Sequence, residues 1–130
     1  MKGLYLLCVA ALSVLLTITC RKDSGPHVVL PLQPVPVSFS QDIQPIFNAN
    51  CISCHDESHA YLNLKTCCSW YELWTTGFSA PYLDTIAPLQ SLLHKRISGA
   101  QLPIMPPMGQ MQQGDIDLVA RWITEGARNN

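Results

Sequence analysis

The chain has 130 residues, of which 48% are hydrophobic and 13% charged. The length fits one domain, and the charged fraction lies well below the quarter usual for soluble domains. From Arg21 onward seven Lys and Arg face nine Asp and Glu, a formal balance of −2, and the absence of a basic stripe excludes a nucleic-acid partner.

Part of the apolar excess sits at the amino terminus. Lys2 supplies one positive charge, and residues 4–18 form an apolar run. A short basic region before an apolar stretch reads as an export signal over residues 1–19. The run is shorter than the roughly 20 residues a spanning helix needs; a retained membrane anchor is the alternative. Cys20 closes the run, after Thr17-Ile18-Thr19 and before Arg21-Lys22-Asp23. This resembles the lipobox of bacterial lipoproteins, whose Cys becomes the lipidated first residue of the mature protein. Thr17 stands where that family prefers Leu, and Thr19 where it prefers Gly or Ala. The resemblance implies a lipid anchor at Cys20 and an exported, membrane-anchored lipoprotein of the bacterial periplasm or cell envelope. Ordinary cleavage nearby, with Cys20 a bystander, would export the protein equally.

Residues 20–38 carry Pro26, Pro31, Pro34 and Pro36. Proline fixes φ and removes a donor, so this segment is expected to be extended, a tether of about 50 Å at about 3 Å per residue. Val28, Val29 and Leu30 could instead pack on the domain, which occupies residues 39–130. Its first apolar residues, Ile43, Ile46, Phe47 and Cys51, recur at three- and four-residue steps and predict a helix. Ser40 is the expected N-cap, with Asp42 in the first turn. Pro45 is tolerated if regular helix begins near it.

That helix leads into Cys51-Ile52-Ser53-Cys54-His55. Two thiols at this spacing can each add to a vinyl group of one haem, and the following imidazole can ligate its iron. A zinc pair or a redox dithiol would use the same two thiols. Zinc needs two more ligands, for which Cys67, Cys68, His59 and His94 are available. A redox dithiol usually sits in a βαβ context, and no strand pattern is present.

Ser-Phe-Ser-Gln-Asp-Ile-Gln-Pro-Ile-Phe followed by Cys-Ile-Ser-Cys-His resembles the amino-terminal helix and haem site of class I c-type cytochromes. The likeness is strongest to the small bacterial domains of this family found on lipoproteins, and it spans about residues 38–129. It implies an all-α, cytochrome c-like fold, with the amino- and carboxy-terminal helices packed around one haem c held through Cys51 and Cys54. It also implies His55 as the proximal ligand and Met105 as the sixth, because Met105-Pro106-Pro107 matches the family's ligand loop.

The remaining elements follow. Residues 56–59 should form a solvated turn, and Trp70, Tyr71, Leu73 and Trp74 a short helix packed over the porphyrin. Leu92, Leu93 and Ile97 form the inward face of another helix. Pro103, Pro106 and Pro107 force residues 101–109 into a stiff, non-helical loop. Met108 is the runner-up sixth ligand, and Met111 occupies a buried apolar position. His59, four residues after His55, would struggle to reach the opposite haem face, and His94 suits packing on its helix. The last helix covers residues 115–126, with Ile116, Val119, Ala120 and Ile123 on one stripe, Gln112 as a weak N-cap and Gly126 as C-cap. Cys67 and Cys68 could bond to each other, pair with a second molecule or stay buried. Cys8 disappears with the signal.

The function implied is electron transfer by a periplasmic or membrane-tethered carrier with His/Met haem ligation, not an enzyme by itself, serving redox partner proteins. The alternative is a haem enzyme or gas sensor whose sixth iron position opens. The anchor is testable at this level. Cys20→Ala is expected to move the protein from the membrane fraction to the soluble fraction, or to an unprocessed precursor. A variant that fractionates and migrates like wild type would remove the lipid anchor and leave export standing.

Overall fold

The computed structural model describes residues 34–130 apart from Phe78. The export signal, Cys20 and the tether as far as Gln33 lie outside the described residues. Among the described residues the protein is all-α: four short α-helices joined by turns and extended segments, without strands. None of these helices is long and apolar enough to cross a membrane.

The chain enters through Val37, which is buried and donates its N–H to Glu125 Oε2 at 2.7 Å. That bond, with the Arg121 guanidinium behind it, holds the Glu125 carboxyl below the usual range. A π-helical turn, Phe39–Ile43, follows. Its cap is Ser38 rather than the expected Ser40: Ser38 Oγ accepts from Gln41 N–H, and Asp42 Oδ2 accepts from Ser38 N–H. The cap falls there because the turn begins at Phe39, which leaves Ser40 inside it, with its N–H and Oγ both donating to the Asn130 carbonyl. Regular helix starts only at α1, Gln44–Asn50, which puts Pro45 in the first turn, where its missing N–H costs nothing. Ile43, Ile46 and Phe47 are buried on the predicted face.

α2 covers Ser69–Thr75, with Ser69 and Leu73 buried. A 3-10 turn, Pro88–Gln90, leads into α3, Leu92–Ile97, whose Leu93 and Ile97 face the core. α4 covers Gln113–Thr124. Gln112 is its N-cap and makes no side-chain capping bond, as its long amide suggests. Ile116, Val119 and Ile123 are buried on the predicted stripe, and Trp122 is buried beside them. The far end closes in a Schellman arrangement. Gly126 has φ +99°, its N–H bonds Ile123 O, and the Ala127 N–H bonds Trp122 O.

The two ends of the domain are tied together. Phe39 packs on Trp122 with ring centroids 5.2 Å apart, a contact of the kind that contributes about 1 kcal/mol beyond area burial. Asn130 clamps the entry. Its carbonyl accepts from Ser40 N–H, Ser40 Oγ and Ser38 Oγ, and its side-chain oxygen accepts from Phe39 N–H.

Gly77 has φ +89°, and a Cβ there would collide with the Tyr61 carbonyl and approach the Tyr82 hydroxyl. Gly77→Ala is therefore expected to destabilise the domain by about 2 kcal/mol or more, since the left-handed backbone alone costs an L-residue about 1–2 kcal/mol. Gly114→Ala, in α4 with open space around the new methyl, is expected to gain about 0.5–1 kcal/mol. Urea unfolding of both variants checks the contrast; equal effects would sink it.

Candidate functional site

The elements surround a cavity of about 490 Å³, within the roughly 300–1,000 Å³ typical of cofactor sites. Its walls are mainly apolar, with Leu62, Leu64, Leu93 and Ile97 among the lining residues. Cys51, His55 and Met105 line it together. Three residues separated by up to 54 positions in the chain thus meet at one site, delivered by two devices, the turn after α1 and the proline-rich loop.

Cys51 and His55 arrive on one turn at the end of α1. Cys51 N–H bonds Phe47 O at 2.8 Å, and His55 N–H bonds Cys51 O at 2.9 Å. The turn carries both side chains to the cavity, while Cys54 stays exposed and outside its lining. Burial pushes the Cys51 thiol up to about 11, so it stands as a neutral thiol at physiological pH.

The His55 ring is fixed by a backbone carbonyl. Nδ1 lies 3.2 Å from Leu62 O. A carbonyl only accepts, so Nδ1 carries the proton and Nε2 keeps its lone pair. The ring is also held below the ordinary His pKa, first by burial and then by the neighbouring His59, against a smaller opposing effect of the Leu62 carbonyl. A neutral imidazole with a free Nε2 is the form that binds a metal.

His59 lines the same cavity with its ring 4.3 Å from that of His55. Its hydrogen bonding is opposite: Nδ1 accepts from Tyr61 N–H at 3.3 Å and from Leu62 N–H at 3.2 Å. Its Nδ1 lone pair is spent on the backbone, which leaves His55 the better ligand. His94 lies on α3 with Nδ1 3.2 Å from Leu89 O and does not line the cavity.

Met105 is placed by α3. Its N–H bonds the Arg96 carbonyl at 2.9 Å, and Arg96 Nη1 donates to Pro103 O at 3.0 Å. One residue therefore grips the proline-rich loop by main chain and side chain. Met108, on the same loop, is 99% exposed and does not line this cavity, and Met111 is buried in the core.

Several lining residues had no signal in the sequence. Tyr82 reaches the cavity because its N–H bonds Leu73 O and its carbonyl accepts from Leu93 N–H, bridging α2 and α3. Arg96 and Tyr61 also line it. The expected aromatic cover is different: Trp70, Tyr71 and Trp74 are not among the lining residues, and Trp70 instead donates Nε1–H to Ala127 O at 2.7 Å. Cys67 and Cys68 are joined in a disulfide, which removes them as thiolate ligands. Among the described residues no group of three or more His, Cys, Asp or Glu is arranged to hold a metal ion. The donor set at the cavity is an imidazole and a thioether with a neighbouring thiol. Imidazole and thioether are both ligands that haem iron accepts, so the residues present are compatible with that group.

The chain matches no family model, no curated protein and no solved structure with which it was compared.

Proposed function

We propose that this chain is a one-electron carrier of cytochrome c type, holding one covalent haem c, exported and tethered to a membrane through Cys20. The observation that carries the proposal is the meeting of His55, with its free Nε2, and the Met105 thioether in one apolar cavity beside Cys51. In this reading Cys51 and Cys54 supply the two thioethers. Cys54 is exposed at the end of the turn and does not line the cavity, so its part in the reading rests on the spacing of the motif.

When bound, the haem iron supplies a reversible Fe(III)/Fe(II) couple. The protein's residues set its bias. The Leu62 carbonyl, by accepting the Nδ1 proton, increases the electron donation of His55 and favours the ferric state. Met105 acts in the other direction, because a thioether is a soft ligand that favours Fe(II). Leu64, Leu93 and Ile97 would give the bound group apolar walls, which would disfavour the extra positive charge of a ferric site. Arg96 holds the Met105 loop to α3, so the thioether needs little reorganisation between oxidation states.

Two outcomes test this reading. In a haem-attaching host, wild-type protein is expected to keep haem stain on a denaturing gel, and Cys51→Ala with Cys54→Ala to lose it completely. Stain persisting on the double variant would exclude this attachment site.

The second outcome concerns the sixth ligand. Met105→Ala is expected to abolish the weak near-infrared sulfur-to-iron band of the ferric protein, to lower the reduction potential and to let CO bind the ferrous form. Met108→Ala should change none of these, because its side chain stands in solvent. The reverse pattern would move the ligand to Met108. Loss of the band in neither variant would replace the carrier with the open-site enzyme or sensor.

A further inference from the structure

The disulfide between Cys67 and Cys68 has no part in the carrier reading, yet it sits where it can act on the site. Adjacent cysteines close a ring of eight atoms that includes their own peptide bond, so this bond adds no long-range cross-link. Chain-entropy stabilisation, which grows with loop length, is therefore not its role. Cys67 is exposed and Cys68 half-buried, and exposure is what makes a disulfide labile to thiol exchange.

From the start of α2 a polar chain leads to His55. Cys68 is the cap residue of α2, and its N–H and that of Ser69 both bond Lys65 O at 3.0 Å. Ser69 is completely buried, and its Oγ donates to Gln44 Oε1 at 2.5 Å. Gln44 Nε2 in turn donates to Leu64 O at 3.0 Å. In the first turn of α2, Glu72 Oε2 accepts from Asn63 N–H at 2.5 Å. Residues 62–64 are thus held from one side by the start of α2. From the other side His55 holds them, through Nδ1 to Leu62 O and through Leu64 N–H to His55 O at 2.8 Å.

We propose that Cys67–Cys68 is a second redox site, a two-electron disulfide/dithiol couple open to small or protein dithiols, whose state is felt at His55 through the start of α2 and residues 62–64. The chemistry balances with an external dithiol as reductant. Its thiolate attacks Cys67 Sγ, the Sγ–Sγ bond breaks, and the electron pair leaves on Cys68 Sγ, which takes a proton. The reductant's second thiolate then attacks the mixed disulfide, forms the reductant's own disulfide, and releases Cys67, which takes the second proton. Two electrons and two protons move to the protein pair. Opening the ring frees the backbone at the cap residue of α2 and loosens the grip of Ser69 and Glu72 on residues 62–64. The Leu62 carbonyl then holds the His55 proton less firmly, His55 donates less, and Fe(II) gains.

The link to His55 rests on the carrier reading; the thiol chemistry does not. The test treats the full-length, haem-matured protein with dithiothreitol under native conditions. One portion is alkylated with iodoacetamide and weighed intact. Another is freed of reductant under anaerobic conditions and its haem midpoint is measured by film voltammetry. The expected results are two added carbamidomethyl groups mapped to Cys67 and Cys68, and a rise in potential that shifts the Fe(II)/Fe(III) ratio severalfold at fixed applied potential. Cys67→Ser with Cys68→Ser should sit at the reduced wild-type value and ignore dithiothreitol. A disulfide that yields only after denaturation, or an unchanged midpoint in the unalkylated portion when its alkylated counterpart shows both thiols free, overturns the proposal. Alkylation needs no haem, so failure of the carrier reading shows separately, as a chain without covalent haem.

Discussion

The hydrogen bond between His55 Nδ1 and the Leu62 carbonyl is the contact on which the site depends. It decides the tautomer, and through the tautomer it decides which nitrogen of His55 is free. It also ties the turn after α1 to an extended segment that lines the cavity. That segment is a crossing point: Gln44 reaches it from α1, Glu72 from α2, and His59 caps its start through two amides. A shift there would move the imidazole, two cavity walls and the first turn of α2 together.

The helices around this point are short, between 6 and 12 residues. Isolated helices of that length are marginal in water, because few propagating hydrogen bonds follow the costly nucleus. Their stability has to come from the faces they bury. The amino- and carboxy-terminal elements solve this jointly. Phe39, Phe47 and Trp122 form one aromatic contact chain, and Asn130 satisfies the donors that begin the domain. The closure at this end leaves the cavity side to the turn after α1, to α3 and to the proline-rich loop.

Polar groups near the site are arranged economically. Gln44 is almost wholly buried, and its amide oxygen and nitrogen both have partners, in Ser69, Asn48 and the Leu64 carbonyl. A buried amide with those partners is affordable; without them it would cost the desolvation of each group. His55 and His59 share one small region and avoid conflict by presenting opposite nitrogens to the backbone. Neither arrangement is encoded by a motif, because the partners are mainly main-chain atoms.

The sequence by itself determined the helix phases and the reagents. The three- and four-residue spacing of Ile43, Ile46 and Phe47, and of Ile116, Val119 and Ile123, specified which faces are buried. Prolines around Met105 ruled out helix there, and Gly126 marked where α4 ends. These features are local, so adjacent residues suffice to encode them. The tertiary structure decided what no local pattern carries. It moved the first cap from Ser40 to Ser38, because the turn begins at Phe39 and the hydroxyls of Ser38 and Ser40 are both held by the carbonyl of Asn130, at the far end of the chain. It separated Met105 from Met108, which differ by three positions but not in chemistry, by bonding one backbone amide to Arg96. It kept the tryptophans of α2 out of the cavity lining and brought Tyr82 in, since a bridge between α2 and α3 depends on main-chain bonds to Leu73 and Leu93. It also paired Cys67 with Cys68, a choice among partners that depends on which thiols meet in space.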